Sequence, residues 1–244
     1  MEYSIPKVEI LGVKIAAINM NWLVSFINNN INDLKGKYIC VSNVHTTVMS
    51  YEDEKYKNVQ NNAILAIPDG GPLVSEGKKR GFVNIERTVG QDFMKEMFNT
   101  SYKHYFYGST EETLEKMIKN IKKDYPNINI VGKYSPPFRD LSKEEDNNII
   151  EMINNKEPDF VWVGLGAPKQ ENWMYSHQNR INGLMAGVGA AFDYFAGNIK
   201  RAPKWMQDSN LEWLYRLLQD PKRLFKRYLT TNIKYIWNAT IKGK

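Results

Sequence analysis

With one cysteine among 244 residues, Cys40, the chain has no internal disulfide. Cys40 sits in the apolar run YICV, where a thiol reads as a small core residue rather than a nucleophile. Three histidines and one cysteine are too few for a dedicated Cys/His zinc site. No stretch approaches the roughly eighteen continuous apolar residues of a membrane-spanning helix. The opening MEYSIPKVEILGV carries Glu2 and no long apolar core, so no secretory leader is expected and the protein is placed in the cytoplasm. Acidic residues are scarce near the end. From Lys200 onward there are 11 Lys and Arg against 3 Asp and Glu, a net +8. The whole chain carries +6, so the first 199 residues carry −2. A basic surface spread over the whole protein, as general nucleic-acid binding would need, does not fit that asymmetry.

What is present is a body of short apolar runs alternating with helical stretches. Hydrophobic residues make up 42% of the chain, enough to bury a core in one domain or two compact lobes. YICVSN (38–43), AILAI (63–67), HYFYG (104–108), INIVGKY (128–134), FVWVGLG (160–166) and LMAGVG (184–189) read as buried strands. Residues 46–60 read as one helix. Ser109 with Glu112 reads as the capping signal of the next. VEILGVKIAA reads as an edge hairpin or an opening strand. The alternation predicts an α/β, Rossmann-like, mostly parallel sheet flanked by helices over residues 1–196. Residues 197–244 form a basic amphipathic helical appendage.

In open parallel sheets ligands collect at the carboxyl ends of strands. Three loops there carry polar residues or glycine. They are SNVH (42–45) with Asn43 and His45, PDGG (68–71) with Asp69, and GLGAPKQ (164–170) with Gly164, Gly166, Lys169 and Gln170. Asp69 reads either as a turn aspartate or as a general base that takes a proton from a sugar hydroxyl. GLGAPKQ lacks both the Walker ending and the dinucleotide fingerprint, yet its amides and the following helix start suit a diphosphate. Lys169 alone reads as a surface charge, and His45 as a packed side chain or a substrate partner. Arg87, in NIERTVGQD, and Arg139, in YSPPFRD, suit a phosphate through bidentate hydrogen bonds. For Arg87 and Asp92 the competing reading is an ion pair that fixes the loop. Asp193 reads as structural.

The ordered set AIPDGGPLVS, ERTVGQDF, VGLGAPKQENW, GVGAAFDYFAGNIKRAPKWMQ and LEWLYRLLQDPKRLFKRYL resembles the WecG/TagA/CpsF family of bacterial glycosyltransferases, glycosyltransferase family 26, over nearly the whole chain. The resemblance implies an inverting, metal-independent transferase without a cofactor, at the inner face of the cell membrane in cell-envelope polysaccharide synthesis. Its implied donor is a UDP-sugar and its acceptor a saccharide on polyprenyl diphosphate. The family's catalytic aspartate corresponds to Asp69, its arginine to Arg87, its glutamine to Gln170 and its early asparagine to Asn43. Val41 stands where that pattern has threonine, and Gly71 and Pro72 also depart from teichoic-acid members. The donor sugar stays open between glucose, N-acetylmannosamine and others.

The tail fits that picture. Leu211, Leu214, Tyr215 and Leu218, then Leu224, Phe225, Tyr228 and Leu229, recur at helical spacing on either side of Pro221, which breaks the segment in two. Its basic flanks suit an anionic bilayer surface, and Arg216, Arg223 and Arg227 are candidates for diphosphate or lipid contact. Packing on the body with the charges in water is the other reading, and exposed apolar surface also allows a homo-oligomer. A non-catalytic nucleotide-binding module would use the same loops. A nucleic-acid-binding protein would use the tail, but no nucleic-acid motif accompanies it.

Overall fold

The computed structural model describes residues 3–241; Glu2 and the tail lysines Lys242 and Lys244 lie outside them. The chain opens with an antiparallel hairpin, β1 (Lys7–Ile10) and β2 (Val13–Ala16), followed by α1 (Met20–Asn30). The hairpin reading of VEILGVKIAA therefore holds. The body then runs β3 (Tyr38–Ser42), α2 (Val44–Glu52), α3 (Glu54–Asn62), β4 (Leu65–Pro68), α4 (Gly71–Lys79), α5 (Gly90–Phe98) and β5 (Lys103–Gly108). It continues through α6 (Glu111–Asp124), β6 (Asn129–Tyr134), α7 (Lys143–Asn154), β7 (Phe160–Gly164), α8 (Lys169–Ser176), β8 (Leu184–Gly187) and α9 (Ala191–Ala196). The tail holds α10 (Lys204–Asp208), α11 (Glu212–Gln219) and α12 (Pro221–Tyr235), ending in a π-helical turn at Ile236–Ile241.

Six strands form one parallel sheet in the order β4-β3-β8-β7-β5-β6. The fold is α/β and Rossmann-like, with a helical C-terminal appendage. Alternate residues of the central strands enter opposite cores, the pattern of a sheet covered on both faces. Ile39 and Val41 of β3, with Phe160 and Trp162 of β7, pack against α1, α5, α6 and α9. Tyr38 and Cys40, with Val161 and Val163, pack on the other face with the hairpin, α4, α7 and α8. Burying each of the larger apolar side chains among them stabilises the fold by about 1.5–3 kcal/mol. His104 lies within the first core, accepts from Trp162 Nε1 at 3.1 Å, and is pushed down to about 4 by burial, so it is a neutral core residue.

Two local expectations need correction. The helix over 46–60 is two helices broken at Asp53. Its backbone N–H closes α2 on Met49 O, while its carboxylate accepts from Lys55 N and Tyr56 N to start α3. The cap of α6 is Thr110, not Ser109. Ser109 N donates to Gly164 O at 3.0 Å and Ser109 takes a φ of 58°, so the turn off β5 consumes it.

The strand connections diverge between β7, which leads to β8, and β5, which leads to β6. A crevice is expected at such a point, but here it is shut. A Cβ on Gly108 would stand 2.7 Å from the Gly164 carbonyl, and one on Gly164 would stand 2.5 Å from the Phe192 ring. Space for a ligand opens instead over β4, β3 and β8.

Candidate active site

A cavity of about 690 Å³ lies at the carboxyl ends of those three strands. Its floor comes from Asn43 after β3, Asp69 after β4, Gly187–Gly189 after β8, and Gly166 with Gln170 from the β7–α8 loop. Its remaining wall is the tail: Glu212, Trp213 and Arg216 of α11, then Arg223, Arg227 and Tyr228 of α12. Helix α12 packs on α2, and Tyr235 Oη donates to Pro72 O at 3.3 Å. Gly71 permits the closest approach, since a Cβ there would meet the tail's Asn210 Oδ1 at 2.5 Å. The glycine pair after Asp69 thus serves tail packing as well as the turn.

Asp69 directly follows β4, its N–H held by Ser42 O at 2.8 Å. Its Oδ1 is buried without a hydrogen bond. Burial lifts the carboxyl above the usual aspartate range. Arg87 and Arg216 pull it back, and Glu212 and Asp92 push with burial. A carboxylate with raised proton affinity facing a ligand cavity is suited to general-base work.

Arg87 donates from Nε to the Asp69 carbonyl at 2.6 Å and from Nη2 to Glu212 Oε2 at 2.7 Å. The same Nη2 stands 3.7 Å from Asp69 Oδ1. Behind Glu212, Arg201 Nε lies 3.8 Å from Oε1, and Arg201 grips Asp92 with both Nη atoms. A chain of charges therefore runs Asp69, Arg87, Glu212, Arg201, Asp92, alternating in sign and crossing twice between body and tail. Both readings of Arg87 meet here: it is in an ion pair and it lines the cavity.

Asn43 caps α2, its Oδ1 accepting from His45 N and Thr46 N. Gln170 stitches two loops. Its Oε1 accepts from Gly166 N at 3.2 Å and Gly189 N at 3.0 Å, and its Nε2 donates to buried Glu171 at 2.8 Å. Its polar atoms are thus engaged in shaping the floor. His45 Nδ1 is buried without a partner, and burial with the Arg227 charge pushes the ring down to about 4. It is neutral at pH 7.

Arg216 lies over the Tyr194 ring at 5.6 Å and Arg227 over Tyr228 at 5.4 Å. Arg223 Nε binds Asp220 at 2.5 Å. Arg227 Nε is buried without a partner. Burial, then the charges of Arg216 and Arg223, hold its guanidinium below the usual arginine range. Tyr194 Oη is likewise unpartnered, its phenol pushed up to about 12 by burial. Of nine buried polar atoms without partners among the described residues, six line this cavity, on His45, Asp69, Gln91, Glu171, Tyr194 and Arg227. Such groups are costly unless water or a ligand completes them.

Three sequence candidates lie elsewhere. Arg139 is exposed on the loop after β6 and bound bidentately to Glu145. Lys169 is exposed outside the cavity lining. Gly164 serves the close packing against Gly108 and Phe192 instead. Among the described residues no group of three or more His, Cys, Asp or Glu is arranged to hold a metal ion.

The model of the glycosyl transferase WecG/TagA/CpsF family matches residues 8–244. The chain belongs to this family. The relatives it resembles include the N-acetylglucosaminyldiphosphoundecaprenol N-acetyl-beta-D-mannosaminyltransferases of Staphylococcus aureus (strain MW2), at 31% identity over 89% of this chain and 87% of that protein, and of Bacillus subtilis (strain 168), at 29% over 87% and 83%. The enzyme of the same name from Bacillus spizizenii is 28% identical over 87% and 86%.

Of the residues the sequence nominates, Asn43, His45, Asp69, Arg87, Gly166, Gln170 and the three tail arginines line this one cavity, and Glu212, Gln91 and Tyr194, not nominated there, line it with them. Glu212 had one available signal, as one of only three acids in a basic tail.

Proposed function

We propose that this glycosyltransferase moves a sugar from a UDP-sugar to a saccharide carried on polyprenyl diphosphate, with inversion and without a metal ion. The observation that carries the reading is Asp69. It is a half-buried carboxylate of raised proton affinity, facing across one cavity the tail arginines Arg216, Arg223 and Arg227. The carboxylate takes the proton of the acceptor hydroxyl as its oxygen attacks the anomeric carbon. The bond from that carbon to the diphosphate breaks on the opposite face, and UDP departs with the negative charge. Arginines gathered on one wall, with their like charges repelling, are suited to receive that charge in place of a metal ion. The acceptor in the relatives' names, N-acetylglucosaminyldiphosphoundecaprenol, is an anionic, lipid-borne substrate of that kind.

The same tail is the element that meets the membrane. Phe225, Leu229, Ile233 and Trp237 are exposed and recur every four residues, so they share one face of α12 and its extension. Lys222 and Lys226 are exposed on the same helix. Buried Leu224 and Tyr235 lie on the opposing face. An apolar stripe interspersed with lysines rests at an anionic interface without crossing it. No helix among the described residues is long and apolar enough to cross. This arrangement supports peripheral attachment at the inner membrane face, with the arginines turned toward the cavity.

The test is a panel of labelled UDP-sugars, glucose, N-acetylmannosamine and N-acetylglucosamine among them, offered with polyprenyl-diphosphate mono- and disaccharides. Label entering the lipid fraction from one donor supports the reading. Release of free sugar alone, or transfer to water-soluble sugars lacking diphosphate with equal efficiency, contradicts it.

A further inference from the structure

The contest for one guanidinium nitrogen has a consequence for the reaction. Arg87 Nη2 carries two N–H donors, yet only one carboxylate stands within hydrogen-bond distance of it. It binds Glu212 Oε2 at 2.7 Å and leaves Asp69 Oδ1 at 3.7 Å, beyond hydrogen-bond reach. Nε is meanwhile fixed on the Asp69 carbonyl at 2.6 Å, which keeps the guanidinium beside the aspartate. Glu212 is buried in the first turn of α11, where the helix dipole favours a carboxylate, and Arg201 approaches its other oxygen. Arg87 and Arg201, one at each carboxylate oxygen, hold Glu212 in place.

We infer that Glu212 is a positioning residue for the reaction: by occupying Arg87 Nη2 it holds the guanidinium off Asp69 and keeps that carboxylate free to accept a proton. The inference rests on Asp69 being the base. A base paired directly to arginine would be a poor proton acceptor. Because Glu212 is borne by the tail, the base reaches its working state only when the tail is seated. The appendage thus contributes to the proton transfer as well as to substrate charge.

The charged groups facing Asp69 are Arg87 from the segment between α4 and α5, Asp92 from α5, and Glu212 and Arg216 from α11. His45 and Arg227 face the same cavity from α2 and α12. Replacing Glu212 with a neutral side chain removes a negative charge near Asp69 and frees Arg87 to approach it. Both changes make Asp69 more acidic.

The test uses the full chain with a donor and lipid-linked acceptor that the wild type turns over. In Glu212→Gln the acidic limb of the kcat profile moves to lower pH by about half a unit or more. The plateau kcat falls by about three- to tenfold, as a weaker base requires, and KM for the donor changes less than kcat. Glu212→Asp keeps the charge but shortens the reach, and shifts the limb in the same direction by less. A limb and plateau unmoved in Glu212→Gln, with only a lower melting temperature, overturn the inference. Should that variant not fold, Glu212→Asp decides: a limb shifted down supports the role and an unshifted limb overturns it. The two readings separate through Asp69→Asn. If that variant keeps its turnover, the base assignment fails. If it loses turnover while Glu212→Gln leaves the profile unchanged, only the role of Glu212 fails.

Discussion

Arg201 closes on Asp92 with two parallel hydrogen bonds, Nη1 to Oδ1 at 2.5 Å and Nη2 to Oδ2 at 2.6 Å. This joins the start of the tail to the first turn of α5. Burial alone would raise the Asp92 carboxyl. The Arg201 hydrogen bonds and charge, with Lys95 and Arg87, bring the net shift below the usual range. A carboxyl depressed in the folded state contributes stability above its unfolded value, near 4, and loses it as pH falls through the folded value. We predict that Asp92→Asn costs about 1–2 kcal/mol in denaturant unfolding at pH 7. The difference from wild type should shrink below about pH 4. An equal difference at both pH values contradicts the clamp.

Asp69 has the opposite sign. Its carboxyl is raised, so its deprotonated form appears at a higher pH than for an exposed aspartate. Turnover is expected to rise with pH through an acidic limb lying above about 4. That limb should be absent from the residual activity of Asp69→Asn. Rate profiles from about pH 4 to 9 check both points, and a limb at or below the ordinary aspartate value contradicts the assignment.

Gln170 holds the floor through two backbone amides and a buried carboxylate. Gln170→Ala strands the Gly166 and Gly189 N–H groups and leaves Glu171 without its donor. The expected cost is about 1–3 kcal/mol of stability with a kcat/KM loss of about tenfold or more. Unfolding and steady-state rates measure the two. A pure KM effect with unchanged stability would instead assign Gln170 to direct substrate contact.

The two sides of the tail should separate experimentally. Changing Arg216 and Arg227 together to Gln is expected to weaken UDP binding by about tenfold or more, with the vesicle affinity set by the outer face little changed. Changing exposed Phe225, Leu229 and Ile233 to Ser should release the protein from anionic vesicles and leave UDP affinity within about twofold. Calorimetry and vesicle sedimentation read the two properties, and a swapped pattern contradicts the orientation of α12.

Much of this fold is legible in the chain. YICVS and FVWVG declare buried parallel strands because both of their faces are apolar, and Pro221 declares the break between α11 and α12. Strand-end loops then place Asn43, Asp69 and Gln170 together. Asp53 was harder to read, since a charged residue inside a polar helical stretch looks like surface until its side chain is seen capping α3. Arg139 was misleading for the converse reason, because a flexible arginine near prolines looks like a ligand group until Glu145 is found holding it. The charge chain was not readable. Arg87 and Glu212 are 125 residues apart and Arg201 and Asp92 are 109 apart, and neither pair carries any local periodicity.

The most direct measurement is Asp69→Asn assayed twice in the full-length enzyme, once for UDP binding by calorimetry and once for sugar transfer to a polyprenyl-diphosphate saccharide. The expected result is UDP affinity within about threefold of wild type and transfer reduced by about a hundredfold or more. Transfer within about tenfold of wild type, or UDP affinity lost together with it, would contradict Asp69 as the base.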